Sequence, residues 1–563
     1  MSLGIIWQLI LAIALGSLAS AATNHGGHRR HPNMMPPPTI PMPSTPSPQI
    51  PVTSRNGTLL PPYNTVYYFD QLIDHNNPSL GTFKQRFWHT WEFYEPGGPI
   101  VLMTPGETNA DGYSGYLSNR TITGMIAQQQ NGSVIVLEHR FYGLSNPYPD
   151  LSVKSFRVHT IQQAIDDLEY FAKNVNLPQP DGDKVTPDRA PWVFVGGSYP
   201  GALVSWSVVN KPGLFAAGYA SSAVVEAILD FWEYFEPIRL NMPANCSADV
   251  QAVISYVDKT LMTGNKKAIQ TLKDTFGLGN VSHIDDFAGA LRNNLWDWQS
   301  LQPTSGSNTQ FYRFCNALEV KNGVSADSKG WGLENALTAW GNYWKNGYYA
   351  RLCDDLDAET CLGTYDGTAD YYTNTTINNS NRSWFWIVCN EVGYLQEGAP
   401  LGTPSLVSRI ITPLYDMRQC KLMFPDAYKV LPPIPRTAIT NMKYKGWDVS
   451  VSNIFFANGI RDPWKEATLS TTGLKPKVSS QSIGLGDGFH CSDMSLASAQ
   501  ADPTIAAVQA QALQFMKTTL GKWKPTNRSP PVKGPKPRGF PFSPLPIPAV
   551  KPINAWFRGV GRF

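Results

Sequence analysis

From Tyr67 to about Ala223, short apolar runs alternate with helical periodicity. The runs PIVLM at 99–103 and SVIVL at 133–137 are brief, rich in β-branched residues and bounded by Gly, Pro or Asn, which predicts buried strands. Ile161, Ala164, Ile165, Leu168 and Phe171 recur at helical spacing and predict an amphipathic helix over roughly 158–174. WVFV at 192–195 is a further strand that runs into Gly196, Gly197 and Ser198. A helix is expected from near Gly201, and residues 215–220 form the next strand. Strand–helix–strand alternation of this kind predicts an α/β domain with a mostly parallel sheet.

The pattern changes at about Val224. As far as Arg436 the strand signal fades, Trp and Asn are frequent, and six of the seven cysteines (Cys246, Cys315, Cys353, Cys361, Cys389 and Cys420) are gathered. Helical stretches such as 250–261 and 332–344 mark this as a mostly helical, disulfide-stapled insertion. Strand character returns at 451–456 and near 479–485, and a last helix is expected over 504–519. The expected organisation is a signal peptide at 1–22, a proline-rich linker at 23–60, an α/β domain from 61–223 and 437–520, a helical cap at 224–436, and a basic proline-rich tail at 521–563.

Charge sharpens those boundaries. The formal net charge is +3, yet residues 23–60 carry three Arg and no acid, and residues 521–563 carry nine Lys and Arg and no acid. The segment between them holds 34 basic against 43 acidic residues, a net of −9. An acidic body of this kind argues against nucleic acid as a partner. The two flanks hold 19 of the 46 prolines, and such composition predicts extended polyproline-like segments outside any core.

The first 22 residues lack charge and contain an apolar run over 9–18 with a small-residue exit, as a secretory signal does. That run is about half of the roughly 20 residues that a bilayer span needs, so no membrane span is expected. Nine N-x-Ser/Thr sequons accompany it, at Asn56, Asn119, Asn131, Asn245, Asn280, Asn374, Asn378, Asn381 and Asn527. The crowding of three between Asn374 and Asn381 predicts an exposed glycosylated loop. A secreted or extracellular location follows, with lysosome or vacuole as the alternative. In an oxidising compartment seven cysteines form at most three internal disulfides and leave one thiol over. No Cys/His spacing resembles a zinc site, so neither metal nor cofactor is expected.

The strongest chemical signal is VFVGGSYPG at 193–201. An apolar strand, a tight Gly-rich turn bearing Ser198, and an immediate helix describe a nucleophile elbow, although Pro200 takes the place of the second Gly and Gly201 comes one position late. A nucleophilic Ser needs a base and the base needs an orienting carboxylate, following in the order Asp then His on loops after later strands. Asp462 in NGIRDPW (458–464) and His490 in GDGFHC (486–491) meet both conditions, and His490 is the last histidine of the chain. His25, His28 and His31 fall in the expected linker, and His75, His89, His139 and His159 precede Ser198, so these are read as structural.

GGSYPG at 196–201 resembles the Ser motif of the serine peptidase family that includes lysosomal Pro-X carboxypeptidase, dipeptidyl peptidase II and fungal prolyl endopeptidases. FDQLIDH (69–75), TFKQR (82–86), EHRFYG (138–143) and WIVCNE (386–391) agree, in the family's order, over about 67–517. The resemblance implies an α/β-hydrolase domain with a helical cap, and cleavage on the carboxyl side of proline through an acyl-enzyme. It implies an oxyanion hole from Tyr199 and the TPGE loop (Gly106, Glu107), where Pro105 departs from the family's form. It also implies Trp464 as an aromatic wall of the proline pocket, Glu391 as a substrate-binding residue, and a Cys389–Cys420 disulfide. Cys491 stands where relatives often carry a second His or an apolar residue, and is expected to be a buried, inert thiol. Carboxypeptidase, aminopeptidase (dipeptidyl) and endopeptidase modes all remain open. The expected partners are proline-containing peptides, with a homodimer left open. The competing readings are an esterase on the same fold and a non-catalytic wall- or matrix-associated glycoprotein.

Overall fold

A computed structural model describes residues 30–46, 51–430 and 433–526. The signal peptide, the sequon at Asn527 and nearly all of the basic tail lie outside the described residues. Six strands come before the insertion: β1 (Val66–Leu72), β2 (Thr82–Thr90), β3 (Ile100–Met103), β4 (Ser133–Leu137), β5 (Trp192–Gly197) and β6 (Ala217–Ser221). Within the insertion β7 (Ile228–Asp230) pairs with β10 (Gly393–Leu395), and β8 (Val320–Lys321) pairs with β9 (Val324–Ser325). After it come β11 (Ile454–Gly459) and β12 (Ser482–Gly486).

The main sheet runs β1-β2-β4-β3-β5-β6-β11-β12. Pairing is antiparallel for β1–β2 and β2–β4 and parallel from β4 to β12. The first two strands carry charged and polar side chains between their aromatics, so their apolar runs are too short to stand out in the sequence.

Alternation along β5 explains why its run is apolar throughout. Trp192 and Phe194 face a core built on the helix Ile161–Asn174, while Val193 and Val195 face a second core with Val508, Ala512 and Met516 of the helix Pro503–Leu520. Both faces of a parallel sheet are covered by helices, so no position on the strand is left for a polar residue. The architecture is an α/β-hydrolase domain with a mostly helical cap, and the cap is stapled by disulfides Cys246–Cys315, Cys353–Cys361 and Cys389–Cys420. Cys491 is a free, buried thiol.

Two expectations differ from what the fold shows. Proline-rich residues 23–60 were expected to lie outside the core as a linker, but in the described part His31, Asn33, Met34, Met35 and Ile40 are buried. His31 stacks on Tyr371 of the cap with ring centroids 4.3 Å apart, and is not the exposed linker histidine its sequence context suggests. Proline prevents regular structure here without preventing burial, because an extended chain can still place apolar side chains in a groove. The crowded sequons are likewise not on a fully exposed loop. Asn374, Asn378 and Asn381 are half-buried, Asn381 lies in the helix Ser380–Ile387, and Asn378 Oδ1 accepts from Asn109 Nδ2 at 3.0 Å.

Candidate active site

Ser198 sits between the end of β5 and the helix Tyr199–Asn210 with φ 63° and ψ −126°, a backbone conformation that a non-glycine residue adopts only under constraint. Two backbone bonds hold it there: its N–H donates to Ser221 O on β6 at 2.8 Å, and its carbonyl accepts from Ala202 N at 2.9 Å. The sequence departure at Pro200 and Gly201 has a packing cause. A β-carbon on Gly201 would lie 2.6 Å from Ser221 O, so the glycine is needed where the helix crosses β6. Pro200 presses against the loop after β3, and a β-carbon on Gly106 would meet its Cγ at 2.2 Å. This brings the TPGE loop against the elbow. The Gly106 amide donates to Thr104 Oγ1 at 3.3 Å, which leaves Glu107 as the loop residue whose amide is a candidate oxyanion donor.

Asp462 follows β11 and His490 follows β12, so both hang from the same end of the sheet as Ser198. His490 Nδ1 and Asp462 Oδ1 are 2.8 Å apart, and Asp462 Oδ1 also accepts from the Trp464 amide at 2.9 Å. The Ser198, Asp462 and His490 side chains are all buried. Ser198 Oγ and His490 Nε2 have no hydrogen-bond partner, so the serine–histidine bond is not made in this structure. Burial opposes charge on His490, but the Asp462 carboxylate overcomes it and holds the imidazole well above its ordinary value. Burial pushes the neighbouring Cys491 thiol up, so it is a neutral group beside the ring.

Burial also raises Glu107 to about 8, offset in part by its own backbone amide and by His490. No other residue hydrogen-bonds either carboxylate oxygen, and a carboxyl in such a place is neutral at pH 7. Tyr199 is buried below the elbow with its hydroxyl 3.1 Å from His139 Nε2, so its link to the centre is through the first turn of its helix. Glu391 accepts from the Ile161 amide at 3.0 Å, and burial raises it to about 7. That contact makes it a partner of a helix N-terminus rather than of the aromatic cage, and accounts for its burial without a substrate.

Trp464 is enclosed by aromatics. Its ring centroid is 5.6 Å from Phe231, 5.3 Å from Tyr234, 5.3 Å from Tyr394 and 6.3 Å from His490. Its indole N–H donates to Gln299 Oε1 at 2.7 Å, which also accepts from Tyr234 Oη at 3.0 Å. Gln302 reaches the turn that bears His490: Nε2 donates to the His490 carbonyl at 3.0 Å, and Oε1 accepts from Ser492 Oγ at 2.8 Å. Trp298 joins them, donating to Arg461 O at 2.7 Å and packing on Phe489. Phe231, Tyr234, Tyr394, Gln299 and Gln302 carried no signal in the sequence, because nothing in their local pattern sets them apart from other cap residues. Among the described residues no group of three or more His, Cys, Asp or Glu is placed to hold a metal ion, and no helix is long and apolar enough to cross a membrane.

Residues 71–512 match the family described as "Serine carboxypeptidase S28". The chain is 34% identical over 448 residues to "Serine protease vicPb" of Bipolaris victoriae (strain FI3), covering 76% of this chain and 83% of that one. It is 32% identical over 467 residues to "Probable extracellular serine carboxypeptidase" of Arthroderma benhamiae, covering 77% and 64%. Among solved structures, a proline iminopeptidase from Mycobacterium smegmatis is 10% identical and covers 81% of this chain and 99% of that one. Its TM-score of 0.31 is too low for the likeness to bear on activity.

Proposed function

Since the chain belongs to the serine carboxypeptidase S28 family and is a serine-type peptidase, we propose that it cleaves peptides on the carboxyl side of proline with Ser198, His490 and Asp462 as its triad. The observation that carries the reading is the junction of Trp464 with both other groups. Its amide binds the same Asp462 oxygen that faces His490, while its ring and three other aromatics line a cage. Proline has no backbone N–H and presents an apolar ring, so an aromatic surface whose indole and phenol groups are already hydrogen-bonded suits it.

In this mechanism Ser198 Oγ attacks the proline carbonyl carbon as its proton passes to His490 Nε2. The oxyanion is stabilised by the amides of Tyr199 and Glu107. Collapse breaks the C–N bond, His490 returns the proton to the leaving amine, and water repeats the sequence on the ester. Asp462 holds the ring orientation and stabilises its charge. Entry into the secretory route, with glycans on the sequons among residues 51–430, belongs to the same reading.

The test is a panel of Z-Gly-Pro, X-Pro and Pro-X chromogenic peptides and a simple ester, assayed with wild type and Ser198→Ala. Turnover of the post-proline peptides is expected from wild type only, with a loss of at least 10³-fold in kcat for the variant. Cleavage of the ester alone would overturn the proline assignment, and equal rates for the two proteins would remove Ser198 from the mechanism.

A further inference from the structure

Residues 30–46 do not leave the body of the protein; they cross it at the catalytic centre. At the upstream end the strand is tied to the cap: Asn33 Nδ2 donates to the carbonyls of Asp286 and Leu362 at 2.9 and 2.6 Å, and Arg292 donates to Asn33 O at 3.1 Å. At the downstream end it is tied to the sheet domain: Tyr116 Oη donates to Pro41 O at 2.7 Å, and Thr45 and Ser114 share a hydrogen bond at 3.0 Å. Between the ties lies PPPTIP (36–41), and two of its residues, Pro37 and Ile40, touch the site. The Pro37 carbonyl accepts from Gln299 Nε2 at 3.2 Å, on the amide whose oxygen holds Trp464. Ile40 presses on the residue before the nucleophile, for a β-carbon on Gly197 would lie 2.9 Å from Ile40 Cγ2 and 2.9 Å from Cys491 Sγ.

Thus within four residues the strand passes from the aromatic cage to the elbow. Ser198 is 0% exposed, and His490 and Trp464 are each 1% exposed. A peptidase whose nucleophile is sealed in this way has no route for a peptide unless something moves. The occupant is itself proline-rich and free of helix or sheet, with a backbone carbonyl read by a side-chain amide, as a peptide substrate is held in a groove.

We propose that residues 30–46 are an internal peptide ligand of the substrate cleft that keeps the enzyme closed until the segment is released, and that Gln299 is the group that reads the backbone of this strand and of substrates that replace it. The proposal rests on the post-proline reading for the identity of the substrate, but not for the occupancy of the cleft. A tether that ties a ligand to its own site gives a high effective concentration, so a strand of modest intrinsic affinity suffices to close it. Cutting the chain downstream of residue 46 converts the tethered ligand into a free one that dilution removes.

The experiment replaces residues 47–50 of the full chain with the recognition sequence of a site-specific protease. The protein is assayed intact, then after cleavage and gel filtration, with mass spectrometry to show that residues up to 46 are gone. At least a tenfold rise in kcat/KM on a post-proline chromogenic peptide is expected, with faster labelling of Ser198 by a fluorophosphonate. A synthetic peptide of residues 30–46 is expected to inhibit the cleaved enzyme competitively, and the same peptide with Ile40→Asp to do so at least tenfold more weakly. Equal activity and labelling before and after release would overturn the proposal, as would a cleaved enzyme that the peptide does not inhibit or bind. Binding of the fluorescein-labelled peptide to cleaved Ser198→Ala protein, weakened by Gln299→Ala, separates the two readings. If that binding is found but no post-proline peptide is hydrolysed, the substrate assignment fails and the internal ligand stands.

Discussion

Ser198, Asp462 and His490 ride on turns that follow β5, β11 and β12 of one sheet, whereas Trp298, Gln299 and Gln302, which touch the same turns, ride on the cap. The sheet residues owe their positions to the backbone ladder: β5 pairs with β6, β6 with β11 and β11 with β12, so the three turns are fixed relative to one another before any side chain is considered. The cap residues act through single side-chain amides and one indole. On the proposed mechanism the sheet half carries the reacting atoms, and the cap residues touch the turns that hold them. The lesson is that the two halves should fail differently on mutation, the first in chemistry and the second in alignment and access.

The sharpest way to break that distinction is Asp462→Asn. The variant keeps the shape of the side chain but presents a neutral group to His490 Nδ1, favouring the wrong tautomer for accepting the Ser198 proton. A fall in kcat of about 10⁴ is expected, with KM little changed. Because the carboxylate is what lifts His490, the acid limb of kcat/KM should also move to lower pH. The sign follows from the role: His490 must be neutral to accept a proton, so the rate rises as pH climbs through its pKa, and lowering that pKa lets the rise come sooner. Steady-state kinetics across pH would check both. A loss below tenfold would mean that Asp462 is an ordinary turn residue.

The difference between the halves is also a difference in what the sequence discloses. GGSYPG, NGIRDPW and GDGFHC are legible because a turn after a buried strand leaves little choice of residue: at Gly201 a β-carbon would lie 2.6 Å from Ser221 O, and Gly106 is dictated by Pro200. The strands β3 to β6 are legible for the same reason, being apolar on both faces. Gln299 and Gln302 are not, since a glutamine in a helical cap reads as surface until tertiary contact turns it inward. The proline-rich segment misled for a related reason. Composition reports that residues 30–46 form no helix or ladder, and says nothing of whether a groove receives them. Glu391, which the motif suggests for the substrate, is given a helix terminus to bind by the fold.

Gln302→Ala tests the cap side of the comparison. The variant deletes two hydrogen bonds that pin the turn from Phe489 to Ser492, each contributing about 1 kcal/mol. If those bonds serve alignment, kcat should fall roughly tenfold with KM nearly constant, and Gln302→Glu, which keeps one acceptor for Ser492, should recover part of it. The readout is kcat against KM together with the thermal midpoint. A lowered midpoint with unchanged kcat would reduce Gln302 to a structural brace and blur the division of labour.

The smallest effect, and the one that joins the two halves, is expected at Glu107. This carboxyl comes from the sheet domain's loop after β3, yet its behaviour depends on exclusion of water from the covered centre. Burial is the leading cause of its rise to about 8, so it is neutral at pH 7 and acquires charge as pH rises through about 8. On the proposed mechanism a negative charge beside the Glu107 amide would oppose the developing oxyanion. This charge should therefore lower the rate as pH rises through about 8. Glu107→Gln keeps the shape and removes the ionisation, so kcat at pH 7 should stay within about threefold of wild type while the alkaline fall disappears. If the fall persists unchanged in the variant, another group sets it and Glu107 is a silent buried acid. If it moves toward the ordinary carboxylate range once residues 30–46 are released, water has reached the loop, and the covering strand is then part of what tunes the chemistry of the sheet.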